Sequence, residues 1–189
     1  TRQTCATVKR PTPTLVSRGL AVHLCLPLKL SSFFVIDNVH PLIKSISIHN
    51  QESPSHYLHS LLNVLFSMKQ VLVFEIINSS SALEFMVSNI FNTSISSISG
   101  LDGTLIHLTI SKCSLLSSDT WFINNFHGLQ HLDLSKNPLL SLDEIRFYSL
   151  IHLKYIDLSW TYLTTIERLT FRHNYNLTFL KLHNSMLCS

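Results

Sequence analysis

The stretch that decides the fold is LQHLDLSKNPLLSLDEIRFYSLIHLKYIDLS, residues 129–159. Apolar residues, mostly leucine, stand at the first, fourth, sixth and eleventh places of a 24-residue unit. Four such units begin at Leu105, Leu129, Leu153 and Leu177. A constant step that recurs without slippage indicates one structural unit stacked on copies of itself.

Each unit divides into a strand and a return segment. Residues two apart in a strand point the same way, so we expect Leu132 and Leu134 in the core, with His131, Asp133 and Ser135 facing solvent. The ninth place, where the chain turns off the strand, is held in turn by Cys113, Asn137, Thr161 and Ser185. An amide there can form hydrogen bonds with buried backbone groups of the neighbouring turn, and successive amides would form a ladder of such bonds between repeats. This ladder should be weaker where Asn is missing. An apolar column behind the sheet is expected at Ile123, Phe147 and Phe171.

The motif L-x-x-L-x-L-x-x-(N/C)-x-L resembles the leucine-rich-repeat family. The opening stretch and LTTIERLTFRHNYNLTFLKLHNSML, residues 163–187, are similar to the 24-residue extracellular type found in Toll-like receptor ectodomains, Slit-type guidance proteins and small secreted proteoglycans. The resemblance implies an α/β fold, a right-handed leucine-rich-repeat solenoid, or horseshoe, with a parallel concave sheet and an irregular convex side.

The chain divides into three regions by the regularity of its repeat. Residues 105–189 hold the regular 24-residue repeats, and residues 41–104 hold irregular ones. Residues 1–40 show no repeat, and we expect them to form an N-terminal cap over the end of the core, with Cys5 and Cys25 as candidates for a disulfide. Since no cysteine-rich cap follows Cys188, the array is expected to be truncated at its C-terminal end.

Composition excludes several classes. With 46% hydrophobic and 13% charged residues among 189, the chain is not a disordered tail, and four Cys are too few for a disulfide-dependent scaffold. The net charge of +3 comes from dispersed bases before Asp37, so we expect no nucleic-acid partner. The apolar stretches 19–36 and 61–77 are interrupted by polar or charged residues, so neither predicts a transmembrane segment. The first also fits a signal-peptide core, although a core strand is favoured, and membrane anchorage of a longer parent protein stays open.

Function is expected on the concave face, where repeats align outward-facing residues in columns. The first column is His107, His131, Tyr155 and Phe179; the second is Thr109, Asp133, Asp157 and Lys181; the third is Ser111, Ser135, Ser159 and His183. Stacked aromatic and charged side chains suit a protein ligand, although ordinary solvated residues are the alternative. The predicted ligand-binding residues are His131, Asp133, Tyr155, Asp157, Trp160, Phe179 and Lys181.

Neither catalysis nor a cofactor is expected. The sequence has no glycine-rich phosphate loop and no nucleophile elbow. His107 and His131 would stand one strand spacing apart, about 5 Å, beside Asp133, which would suit a metal or a pH-dependent interface. Without tight spacing of the H-E-x-x-H kind, solvated histidines are favoured and no metal is expected.

The favoured function is a protein-protein recognition module of an extracellular receptor or adhesion protein, of innate immune or cell-surface type, with a protein ligand or co-receptor. Glycosylation sequons begin at Asn78, Asn92 and Asn176, and they permit a secretory route without establishing it. The alternatives are an intracellular leucine-rich-repeat scaffold and a partial or degenerate repeat fragment without independent function.

Overall fold

The computed structural model of the chain describes residues 14–18, 21–25, 45–49, 71–87, 103–142 and 147–187. Its strands form one eight-stranded sheet in chain order. They are β1 Thr14–Arg18, β2 Ala21–Cys25, β3 Ser45–His49, β4 Val73–Ile77, β5 His107–Ser111, β6 His131–Asp133, β7 Tyr155–Asp157 and β8 Phe179–Lys181. β1 pairs antiparallel with β2, and every later pair is parallel. An open sheet of consecutive parallel strands is the architecture that the repeat predicts.

The register follows the 24-residue step. In β5 to β8, Leu108 aligns with Leu132, then with Ile156 and Leu180. In the irregular part of the array, Phe74 of β4 aligns with Leu108 of β5. Because this register places equivalent residues of successive repeats side by side, the side chains of each predicted column lie next to one another across the sheet.

The sheet begins earlier than the repeat pattern indicates. β2 aligns with β3 by the same 24-residue step, with Val22 opposite Ile46, although residues 1–40 show no recognisable repeat. β1 folds back on β2 as a hairpin, with Arg18 opposite Ala21. The hairpin therefore continues the sheet within the predicted cap region, while the boundaries at residues 40 and 104 stay predictions.

The core lies between the sheet and the return segments. Leu108, Leu132 and Ile156 are at most 1% exposed, whereas Leu180 in the last strand is 38% exposed. Behind the sheet, the rings of Phe147 and Phe171 stack with centroids 5.5 Å apart, and this confirms the predicted apolar column. Burial is thus complete in the middle repeats and partial at β8.

Short helices complete the return segments. Helix α1, Ser80–Met86, follows β4 and buries Leu83 and Met86, which lie three residues apart on one face. A 3-10 helix, Ser117–Asn125, follows β5 and buries Phe122. Across the described ranges, no helix is both long and apolar enough to cross a membrane.

Candidate functional site

The first column forms a row of stacked rings across four strands, called here the aromatic column: His107, His131, Tyr155 and Phe179. The imidazoles of His107 and His131 lie parallel, with centroids 4.2 Å apart. Tyr155 and Phe179 stack with centroids 5.3 Å apart and planes within 6°. His131 and Tyr155 join the two pairs at 5.8 Å with a tilt of 32°. Four aromatic side chains predicted from spacing alone are therefore brought together.

The second column carries the charges of this face. Lys181 Nζ lies 3.3 Å from Asp157 Oδ2 and 5.5 Å from the centroid of the Tyr155 ring. Tyr155 donates its hydroxyl proton to the same Asp157 oxygen at 3.3 Å. Three predicted site residues from two neighbouring strands thus form one cluster that combines an ion pair with a cation-π contact.

This cluster changes the proton affinity of its members. Burial alone would raise the pKa of Asp157, but hydrogen bonds from Ser159 and the charge of Lys181 outweigh it and lower that pKa. Hydrogen bonds with Tyr155 and with Asp157 raise the pKa of Lys181. Each partner favours the charged form of the other, so the ion pair holds at neutral pH.

The expectation that the serines of the third column and Asp157 face solvent is wrong. Ser111, Ser135 and Ser159 are all at most 9% exposed, and Asp157 is 7% exposed. The hydroxyls of Ser111 and Ser135 lie 3.0 Å apart across neighbouring strands. Ser159 donates both its backbone N–H and its hydroxyl to Asp157 Oδ1. Ser111 and Ser135 are in contact because parallel strands lie about 4.8 Å apart, whereas Ser159 and Asp157 bond within one repeat, two residues apart.

The residue after the third column turns the chain out of the sheet. It has a left-handed backbone in four successive repeats, at Lys112, Lys136, Trp160 and Asn184, with φ between 56° and 59°. Such a backbone is common for Asn and unusual for a bulky ring. Trp160 is nevertheless 54% exposed there, next to the predicted patch. Trp160 follows β7 as the spacing predicts, but its backbone conformation was not predicted, and its part in binding stays a prediction.

A polar row beside the aromatic column was missed by sequence reasoning. Lys154 donates from Nζ to the side-chain oxygen of Gln130 at 3.0 Å, one repeat earlier. Thr178 donates its hydroxyl proton to the backbone oxygen of Lys154 at 3.1 Å. The regular spacing of these three residues was the available signal, because each directly precedes a residue of the aromatic column.

His107 is held toward its neutral form. Its partial burial lowers its pKa below the usual 6.5, the nearby charge of His131 lowers it further, and Glu75 opposes both. Within the described residues, no three His, Cys, Asp or Glu side chains are grouped so that they could hold a metal ion. His107 and His131 lie next to each other as predicted, and their rings stack face to face.

The remaining predicted sites are the glycosylation sequons and the cysteines. Asn78 and Asn176 are exposed, while Asn92 and Cys5 lie outside the described residues. Of Cys25 only the backbone, in β2, is described, so the predicted disulfide stays a prediction. Cys113 is a free buried thiol, and burial raises its pKa to about 11.

Comparison with known proteins identifies the repeat. Residues 127–187 match the family described as Leucine rich repeat. These residues carry leucine-rich repeats. No curated protein matches the sequence of the chain. Leucine-rich repeats and other solenoids present extended concave surfaces for binding, and protein-protein recognition follows as the general role of this chain.

The TLR13 structure shows the same fold. The crystal structure of the TLR13-ssRNA13 complex matches with a TM-score of 0.57 and 15% identity, over 77% of this chain and 20% of that chain. An internalin (inlF) from Listeria monocytogenes str. 4b F2365 gives a TM-score of 0.44 and 16% identity, over 79% of this chain and 56% of that chain. The leucine-rich repeats described here thus span only about a fifth and about half of these two chains.

Proposed function

We propose that this chain is a recognition module of an extracellular receptor or adhesion protein, of innate immune or cell-surface type, and that it binds a protein ligand on its concave face. The observation that carries the proposal is the aromatic column, which runs unbroken across four strands with ring centroids no more than 5.8 Å apart. Aromatic side chains give large contact areas at little entropic cost and dominate the binding energy of protein interfaces.

An extracellular location is supported by two exposed glycosylation sequons. Asn78 and Asn176 are both exposed, as a glycan acceptor must be. Asn176 donates from its side chain to the backbone oxygen of Ile151 at 2.7 Å, which fixes the amide at the surface. In an intracellular scaffold, neither asparagine would be glycosylated.

The extracellular location is tested by secretion of the chain from a eukaryotic cell. We expect the intact mass to fall after treatment with peptide N-glycosidase, and the Asn176→Gln variant to lose one glycan. Retention in the cytosol, or a secreted chain with no glycan at any sequon, would overturn the extracellular proposal and support the intracellular scaffold.

The binding face is tested by site-directed photo-crosslinking on intact cells. A photoreactive phenylalanine replaces Tyr155 in the aromatic column or, as the matched control, Tyr175, which is 82% exposed outside the strands. We expect a discrete protein adduct from position 155 and none of that size from position 175. Equal adducts from both positions would contradict concave-face binding, and so would an adduct that ribonuclease removes.

A further inference from the structure

Lys181 shows what kind of group this face accepts. Its ammonium sits between the Asp157 carboxylate, at 3.3 Å, and the face of the Tyr155 ring, at 5.5 Å from the centroid. The Tyr155 hydroxyl donates to the same carboxylate. The carboxylate and the ring together form a cation-binding site, called here a seat. In this repeat the seat is occupied by Lys181 of the chain itself.

A related seat lies one repeat earlier in the sheet. There His131 stands in place of Tyr155, and Asp133 in place of Asp157. The residue in the place of Lys181 is Asp157, an acid. The second seat thus has its ring and its carboxylate but no cation from the next strand.

Asp133 is held in position yet keeps binding capacity. Its Oδ1 accepts the backbone N–H of Ser135 at 2.8 Å, which orients the carboxylate. In the ranges 71–87, 103–142 and 147–187, no Lys, Arg or His makes an ion pair with Asp133, whereas Asp157 has Lys181. The side chain is half-buried, so a partner's group can reach it.

Charge complementarity selects a cation. Asp133 and Asp157 stand directly opposite each other on neighbouring parallel strands. Two carboxylates on adjacent strands repel each other, and the single charge of Lys181 offsets only one of them. A positive group at Asp133 would relieve this repulsion and would lie beside the rings of the aromatic column.

The same acids disfavour a nucleic acid. Stacked aromatic rings can serve as a platform for unpaired bases, but such sites need cations along the phosphate path. Here Glu75, Asp133 and Asp157 share the column next to the rings, with Thr109 between the first two. Phosphates stacked alongside would meet carboxylates, so a basic polypeptide suits this face better than RNA.

We propose that Asp133 receives a lysine or arginine side chain of the protein partner, which lies beside the rings of His131 and Tyr155 and pairs with the Asp133 carboxylate as Lys181 pairs with Asp157. This inference rests on the proposed function and names the chemistry of its ligand. A partner segment that presents a basic residue to Asp133 can run across the strands and reach the exposed ring of Phe179, which is 50% exposed.

The test uses a defined probe. The tripeptide acetyl-Gly-Arg-Gly-amide, and its matched uncharged version with citrulline in place of arginine, are titrated against the full chain by NMR. We expect saturable shifts of the His131 ring with the arginine peptide and none with the citrulline peptide. Asp133→Asn should weaken binding about tenfold, the weight of one charge-assisted pair.

Two further variants make the test specific. Asp119→Asn, on the 3-10 helix, removes an equal charge elsewhere and should leave binding unchanged. Lys181→Met vacates the filled seat and should add a second peptide site that shifts the Tyr155 ring. Equal binding of both peptides, equal loss in Asp119→Asn, or tighter binding of oligouridylate at the same rings would overturn the inference.

The outcome is separable from that of the proposed function. Crosslinks from position 155 to a cell-surface protein, combined with no response to the arginine peptide, would refute the basic-residue seat and leave concave-face recognition intact. Arginine binding that depends on Asp133, combined with no crosslink from position 155, would support the seat and refute that partner assignment.

Discussion

The side-chain oxygen of Asn137 lies 2.9 Å from the backbone nitrogen of Cys113, which holds the same place one repeat earlier. The same oxygen also accepts the backbone N–H of Leu115 at 3.1 Å. In the next repeat, Thr161 only donates its hydroxyl proton to Leu158 within its own repeat, at 2.8 Å. Asn137 therefore connects two repeats by hydrogen bonds, whereas the hydroxyl of Thr161 bonds only within its own repeat.

This difference predicts unequal costs for two conservative substitutions. We expect Asn137→Thr to lower the free energy of unfolding by about 3 kcal/mol, because it leaves buried N–H groups and the carbonyl of Ile110 without partners, at about 1 to 3 kcal/mol each. Thr161→Val keeps the shape, removes one hydrogen bond and should cost about 1 kcal/mol. Urea unfolding followed by circular dichroism measures both, and equal costs would contradict the ladder.

A second prediction compares one core position at two depths. Leu132→Ala should lower the free energy of unfolding by about 3 kcal/mol, because the site is fully buried and the cavity cannot collapse. Leu180→Ala, at the aligned place in β8, should cost about 1 kcal/mol or less, since Leu180 is already 38% exposed. Thermal unfolding of the two variants gives the comparison, and a larger loss for Leu180→Ala would show that β8 is buried in solution.

The leucine spacing was sufficient to predict the strand register and the aromatic column. Both follow from a fixed step between equivalent residues, and Asp157 and Lys181 pair for that same reason. The strand β2 lies in the stretch 19–36, where a core strand was favoured, but its place in the repeat was missed because Gly19 stands where the pattern requires an apolar residue, one repeat step before Ile43. Periodicity detects a repeat only where its leading residue is kept.

Other features depend on contacts that a linear pattern does not contain. Ser111 and Ser135 read as exposed strand residues, yet their hydroxyls bond across neighbouring strands and are buried. The left-handed backbone of Trp160 is set by the turn, which bonds its N–H to the carbonyl of His183 at 3.0 Å. Neighbouring repeats impose this conformation whatever the side chain, so residue preference alone could not predict it.

That conformation gives a third prediction. Trp160→Asn should raise the free energy of unfolding by about 1 kcal/mol, because Asn tolerates the left-handed region that costs most residues about 1 to 2 kcal/mol. The reverse change in the next repeat, Asn184→Trp, should lower stability by a similar amount. Chemical denaturation of both variants tests the pair. A clear loss in Trp160→Asn would mean that the ring contributes more by packing than its backbone costs.

The same variant bears on binding. If Trp160 extends the recognition surface, Trp160→Asn should reduce the crosslink yield from position 155 while the protein becomes more stable. Such a divergence between stability and binding is typical of a residue kept for function. A parallel rise of both quantities would place Trp160 outside the interface.

The stacked histidines give the last prediction, a dependence of stability on pH. The folded pKa of His107 lies below the ordinary value of 6.5, so below that pH the unfolded chain binds more protons than the folded one. The contribution of His107 is therefore complete above pH 6.5 and is lost as the pH falls through its folded pKa. His107→Gln should flatten the stability profile between pH 5 and 7, about the range in which histidines titrate.

The neighbours of His107 set the size of this effect and supply its control. Glu75 raises the pKa of His107, so Glu75→Gln should lower that pKa further and steepen the loss of stability on acidification. The contribution of Asp157 is complete above its ordinary pKa of 3.8 and is lost only on the acid side of that value, which separates its titration from this window. Urea titrations at each pH provide the measurement. An unchanged profile in His107→Gln would show that the imidazole stack does not oppose protonation, because proton uptake by His107 would then be equal in both states.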